Sequence, residues 1–170
     1  ILEVYDPVAQ TWASKAALPA PRSGYGLVAF EGRLYLFGGW DGTTASNETL
    51  VYDPAADAWR SLAAMPTARA YTRAVVVDGK VYVLGGEANG TPLTANEQFT
   101  PTLGGPGTWV KVTPLQQPRS RFGASALTNN IVIVGGANNE DPARYDVRTS
   151  TWQNLKPPVL ALGSQPAVVT

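Results

Sequence analysis

Arg22-Ser23-Gly24, then Leu34-Tyr35-Leu36-Phe37-Gly38-Gly39, then Val51-Tyr52-Asp53-Pro54 and finally Trp59 form one unit, and this order returns along the chain. Arg69 precedes Val81-Tyr82-Val83-Leu84-Gly85-Gly86 and Trp109, and Arg119 precedes Ile131-Val132-Ile133-Val134-Gly135-Gly136 and Trp152. From the arginine to the second glycine is 17 positions in each unit. Trp12, Trp59, Trp109 and Trp152 are spaced by 47, 50 and 43, a period that marks a repeat architecture. The irregularities are local. Tyr52 to Trp59 is 7 positions but Phe99 to Trp109 is 10, which places an insertion within 102–107; a deletion shortens the loop between Gly136 and Tyr145. Length changes confined to loops leave the apolar runs intact, as required if those runs are strands whose register matters.

Each unit reads as four short strands. The first, such as 24–30, turns through Glu31-Gly32, Asp78-Gly79 or Asn129-Asn130 into the second, which ends at Gly-Gly. Such pairs tolerate the positive φ of tight hairpins. The third strand, 48–52, ends at Asp53-Pro54, where proline presets φ and the aspartate bonds the turn backbone, and the fourth carries Trp59. Helical periodicity is absent, so the fold class is all-β. The mapping gives two strands over 1–15, complete units over 22–62, 69–112 and 119–155, and one first strand over 160–170.

Composition excludes several functions. The 170 residues carry 13 Lys+Arg against 13 Asp+Glu, so there is no net positive field for nucleic acid or anionic membranes. No Cys or His is present, which removes thiolate and imidazole metal sites and every catalytic triad built on histidine. No run approaches the ~18 apolar residues of a membrane span, and no targeting signal opens the chain. The compartment is therefore left open, with only a compositional lean towards a bacterial soluble or secreted protein.

The landmarks together resemble the Kelch motif, whose repeats of about 50 residues each form one blade of a β-propeller. The resemblance covers essentially the whole chain, with Phe99-Thr100 replacing the Tyr-Asp pair in the second unit. It implies a ring of about six or seven blades, of which this chain holds about three and a half. Either further blades of a longer polypeptide or a second copy of the chain is then expected to complete the ring.

The resemblance also places residues around one mouth: Arg22, Ser23, Trp40, Arg69, Ala70, Glu87, Arg119, Ser120 and Ala137. The arginines have two readings, pairing with a carboxylate on a partner or bonding carbonyls of the adjacent loop to hold blades together. The tryptophans that recur once per unit are read as packing between blades. Trp40 has no counterpart, because Glu87 and Ala137 occupy its position, and it is a ligand candidate with Asp41. Arg73 and Arg121 do not recur in every unit and are read as solvated surface. The loops 40–47 and 87–96 are polar and variable, fit for adaptable contacts or for plain exposure.

No spacing marks two of Asp41, Glu48, Glu87 and Glu97 as a catalytic couple, and Glu140-Asp141 reads as a charged turn. No catalytic residue, metal or cofactor is assigned. The expected function is a non-catalytic scaffold binding a protein, peptide or glycan through the loops of the mouth. A sugar-processing enzyme of mutarotase or lyase type with Arg and Glu at the channel is the alternative, and a structural or adhesive surface propeller is a third reading.

Overall fold

The fold comes from a computed structural model that describes residues 1–138 and 141–156; Glu140 and the strand expected over 160–170 lie outside the described residues. The chain begins with β1 (Leu2–Asp6) and β2 (Thr11–Lys15), which form a two-stranded ribbon. Next come β3 (Gly26–Phe30), β4 (Arg33–Phe37), β5 (Thr49–Asp53) and β6 (Ala58–Ser61). β7 (Arg73–Val77) and β8 (Lys80–Leu84) lead through a small hairpin, β9 (Glu87–Ala88) and β10 (Thr91–Pro92), to β11 (Asn96–Thr100) and β12 (Thr108–Lys111). Last are β13 (Gly123–Leu127), β14 (Asn130–Val134), β15 (Ala143–Asp146) and β16 (Thr151–Asn154).

These make three antiparallel four-stranded meanders, the second interrupted between β8 and β11 by the separate β9–β10 hairpin. The first strands β3, β7 and β13 lie side by side across sheet boundaries, so each sheet points its first strand inward as a propeller blade does. The described residues form three blades and a ribbon, and do not close a ring.

Alternation explains the stacking. On β8, Val81 and Val83 pack with Tyr35, Phe37, Val51 and Met65 of the preceding unit, while Tyr82 and Leu84 pack with Phe122, Ile131, Ile133 and Tyr145 of the following one. A strand buried on both faces must be apolar throughout, as Val81 to Leu84 is. Each large side chain enclosed this way contributes about 1.5–3 kcal/mol, so the boundaries between blades are the core of the molecule.

The hairpin turns follow the expected chemistry with one shift. Glu31 and Gly32 have φ 47° and 71°, and Asp78 and Gly79 have 50° and 69°. In the third blade Leu127 pairs with Asn130, so the turn is Thr128-Asn129, one residue earlier than the asparagine pair indicated, and Thr128 takes the positive φ of 52°. After the third strand, Asp6, Asp53 and Asp146 each accept backbone N–H bonds from the turn that follows, at 2.8–3.3 Å. Where Thr100 replaces the aspartate, the longer 102–107 turn closes by Gly105 N–H donating to Thr102 O at 3.0 Å.

The paired glycines are demanded by both conformation and space. Gly85 and Gly86 have φ 53° and 96°, and a Cβ on Gly85 would run into Arg119 O and the Phe122 ring of the next blade. Across each boundary the second glycine donates to the carbonyl of the next arginine, Gly39 to Arg69 at 3.0 Å and Gly86 to Arg119 at 2.8 Å. The recurring tryptophans stitch the same boundaries. Trp59, Trp109 and Trp152 donate their indole N–H to Ala16, Ala63 and Thr113 of the preceding unit at 3.0, 2.8 and 3.1 Å.

Candidate functional site

The residue after each repeat arginine pairs with the residue after Gly-Gly. Ser23 and Trp40 exchange N–H···O bonds at 2.9 and 2.7 Å, Ala70 and Glu87 do so at 2.9 and 2.8 Å, and Ala137 donates to Ser120 at 3.1 Å. This brings Ser23, Trp40, Ala70, Glu87, Ser120 and Ala137 to one end of the blades. Of these, Ser120 is buried and Ser23 is exposed.

The repeat arginines are engaged inside their own blades. Arg22, Arg69 and Arg119 donate from Nη1 to the first glycine's carbonyl, Gly38 at 3.3 Å, Gly85 at 3.3 Å and Gly135 at 2.8 Å. Nη2 of Arg22 and Arg69 reaches Glu48 and Glu97, each at 2.5 Å, and Arg119 reaches Asp141 O at 2.7 Å. The expected clasp between blades is thus made by arginine backbone carbonyls, while the side chains fasten each unit's third strand to its second. Arg69 is wholly buried, and burial, opposed by Glu97, pulls its guanidinium down to about 10. With their guanidinium groups held in this way, the three arginines are not counted among the groups offered at the mouth.

Two positions later stands the set that does differ between blades: Gly24, Tyr71 and Arg121, all at positive φ of 64°, 51° and 58°. Tyr71 N–H donates to Gly24 O at 2.5 Å and Arg121 N–H to Tyr71 O at 3.1 Å, a backbone chain running from blade to blade. The absence of a side chain at Gly24 leaves room for the Tyr71 ring, since a Cβ there would lie 2.8 Å from Tyr71 Cδ1. The Arg121 guanidinium sits 3.5 Å from the centroid of that ring. Arg121 also donates to Glu87 Oε1 at 3.0 Å, and this bond holds its proton more tightly than usual.

Trp40, Ala70, Tyr71, Glu87, Asn89 and Gly90 line a cleft of about 320 Å³ between the first two full blades. One wall is the β9–β10 hairpin, turned by Asn89 and Gly90 at φ 51° and 75°. Trp40 is held at the root of its own loop by bridges to Ser23 and Ala45. Asp41, exposed beside it, spends its carboxylate on that loop. It accepts from Thr43 N and Thr44 N at 2.7 Å, and these backbone donors hold it below the usual carboxylate range.

The structure therefore brings Trp40 and Glu87 together and adds Tyr71 and Arg121, which the repeat pattern did not single out. Arg121, read from sequence as solvated surface, is half-buried between Tyr71 and Glu87. The signal was present at one position, where three unlike residues stand at a place that elsewhere keeps its backbone conformation. Arg73, also read as surface, is half-buried at the start of β7 and donates to Thr72 O at 3.2 Å.

A family model for the KLHDC2/KLHL20/DRC7 Kelch-repeats domain matches residues 2–167. The chain belongs to the Kelch-repeat family. Comparison with curated proteins returns no match. Kelch domains are protein-interaction propellers, and in this Kelch segment Trp40, Tyr71 and Glu87 line one cleft, with Arg121 held against Tyr71 and Glu87.

Proposed function

We propose that this Kelch segment binds a protein or peptide segment through the mouth formed by Trp40, Tyr71, Glu87, Asn89 and Arg121, without catalysing a reaction. The observation that carries this reading is the grouping of residues that break the repeat: Trp40, Tyr71, Glu87 and Asn89 line one cleft, and Arg121 lies against Tyr71 and Glu87. Trp40 and Tyr71 give rigid amphipathic area at low conformational cost, and Arg121 and Glu87 give donors and an acceptor already oriented by their mutual bond. Ser23 and Asp41 lie on the exposed side of the same rim and belong to the periphery of the contact. Whether further blades or a second copy of the chain complete a ring is read from the mass in solution.

The test is selection of peptides from a displayed library, followed by titration against the parent chain, Trp40→Ala and Arg121→Ala. Each substitution is expected to weaken a selected peptide at least about tenfold, the behaviour of an interface anchor. Peptides whose affinity ignores both substitutions would place the interface elsewhere. Binding to a glycan array, with no peptide selected, would replace the peptide by a sugar on the same aromatic faces.

A further inference from the structure

The β9–β10 hairpin turns on Asn89 and Gly90, the single place in the sequence where asparagine directly precedes glycine. With φ of 51° and 75° the pair forms the two-residue turn for which Asn-Gly is the favoured choice, and Thr91 faces Ala88 behind it. That choice has a chemical consequence. Asparagine is a labile residue, because its carboxamide carbon is an electrophile on which the backbone nitrogen of the next residue can close a five-membered imide. A side chain on the next residue, a hydrogen bond held by the carboxamide, or a backbone N–H already donated each opposes this.

None of these protections is present at Asn89. Gly90 has no side chain, and no atom lies within 4 Å of where a Cβ would stand. Asn89, Gly90 and Thr91 are all exposed, and among the described residues neither the Asn89 carboxamide nor the Gly90 N–H has a hydrogen-bond partner. The hairpin is also thin. Behind the Ala88–Thr91 pair comes Pro92, which has no N–H to give, and the next bond is Leu93 N–H to Gly86 O at 2.8 Å. Freeing the turn therefore breaks one ladder pair.

Asn47 and Asn96 show the contrast. Asn47 donates to Met65 O at 3.3 Å and Asn96, 2 % exposed, donates to Thr113 O at 3.0 Å, and a glutamate follows each. An aspartate, moreover, already occupies this kind of turn in the same molecule: Asp78 and Gly79 lead β7 into β8 at φ of 50° and 69°. The hairpin can thus hold Asp at 89 without rearranging.

We propose that Asn89 is a modification site, at which the chain converts its own carboxamide to a carboxylate. Gly90 N gives its proton to hydroxide and bonds to Asn89 Cγ; the Cγ–Nδ2 bond breaks, and the nitrogen takes a proton from water and leaves as ammonia. Water then opens the imide at either carbonyl, giving aspartate or, with the backbone rerouted through the side chain, isoaspartate. One water is consumed and one ammonia released, and nothing is oxidised or reduced. Asn89 lines the mouth cleft with Glu87, which is matched by Arg121, and no lysine or arginine is among the lining residues. The new carboxylate adds an uncompensated negative charge to the mouth. The chemistry itself does not depend on the function proposed there.

The experiment is to age the chain in mildly alkaline buffer, folded and in urea, and to follow it by ion exchange, intact mass and peptide mapping with enzymatic detection of isoaspartate. In the folded chain the peptide holding Asn89 is expected to exchange an amino for a hydroxyl group before those holding Asn47 and Asn96 do, in aspartyl and isoaspartyl forms, while the protein gains negative charge on the exchanger. Folding is expected to slow this no more than about a hundredfold, the weight of one ladder pair. Asn89→Asp should elute with the aspartyl product and melt with the parent chain, as the turn at Asp78 requires. Retention of the Asn89 amide in the folded chain, earlier change at Asn47 or Asn96, or stronger protection by folding overturns the assignment. A lowered melting temperature in Asn89→Asp overturns the fit of the product.

Discussion

Replacing Arg69 by methionine tests the buried ion pair that ties a blade together. Arg69 and Glu97 are 0 % and 1 % exposed, and Arg69 supplies bonds to Glu97 Oε2, Gly85 O and Ala95 O. Methionine fills much of the same volume but leaves Glu97 with a single neutral donor, Thr67 O–H at 2.6 Å. Breaking a buried pair by removing one partner costs about 3–5 kcal/mol, because the remaining charge is uncompensated. The pair Arg33–Asp53, with side chains one-third accessible and screened by solvent, sets the contrast as a weakly stabilising surface pair. Urea unfolding followed by tryptophan fluorescence should therefore separate Arg69→Met from Arg33→Met by at least about 2 kcal/mol. Adding Glu97→Leu to Arg69→Met should restore most of the loss, since an apolar pair of similar volume is tolerated. A loss below about 1 kcal/mol for Arg69→Met, or no recovery in the double variant, refutes the reasoning that charge burial dominates at this position.

Further outcomes follow from the same geometry. Gly85→Val should cost at least about 3 kcal/mol, because it combines a positive φ with a clash against Arg119 O; an unchanged melting temperature contradicts this. Trp109→Ala should cost about 3 kcal/mol, since the ring packs edge-on to Phe37 at 5.7 Å and bonds Ala63 across the boundary; calorimetry reads it. Tyr52 donates to Asp57 at 2.6 Å and its phenol is pushed up to about 12, chiefly by that bond. The folded state then keeps a proton that the unfolded state releases near 10, so this contribution is present below 10 and lost as pH rises through about 12. Absorbance titration should show a late tyrosine that moves towards 10 in Asp57→Asn. Asp57 itself is held below 3.8, first by Ala16 N–H, so its tie to the β1–β2 ribbon is present above that value and lost as pH falls through the lowered one; Asp57→Asn should flatten that acid limb.

Spacing made the architecture readable because whatever recurs in every unit serves every blade. The equal intervals from arginine to Gly-Gly, the aspartates at the third-strand ends and the recurring tryptophans have one structural job each, performed again in each unit that carries them. The turn at Thr128 was displaced because asparagine-rich composition outweighed the count from Arg119, and the count is what the ladder obeys. Glu48 and Glu97 looked like loop carboxylates, yet both face the repeat arginine of their own unit, a contact between residues 26 and 28 positions apart that no local pattern displays. Tyr71 and Arg121 were hidden for the opposite reason. Repeat logic finds what stays the same, and the surface proposed for recognition is built from what changes.

Each boundary between full blades is fastened at its inner rim, through Tyr71 to Gly24 or Arg121 to Tyr71, and again near its outer edge, through Trp109 to Ala63 or Trp152 to Thr113. A seam pinned at both margins resists opening like a hinge, so the mouth cannot widen by splaying neighbouring blades. Under the proposed function a partner would meet a surface already in its bound shape, and discrimination between partners would fall on a few side chains and on how quickly a misfit leaves.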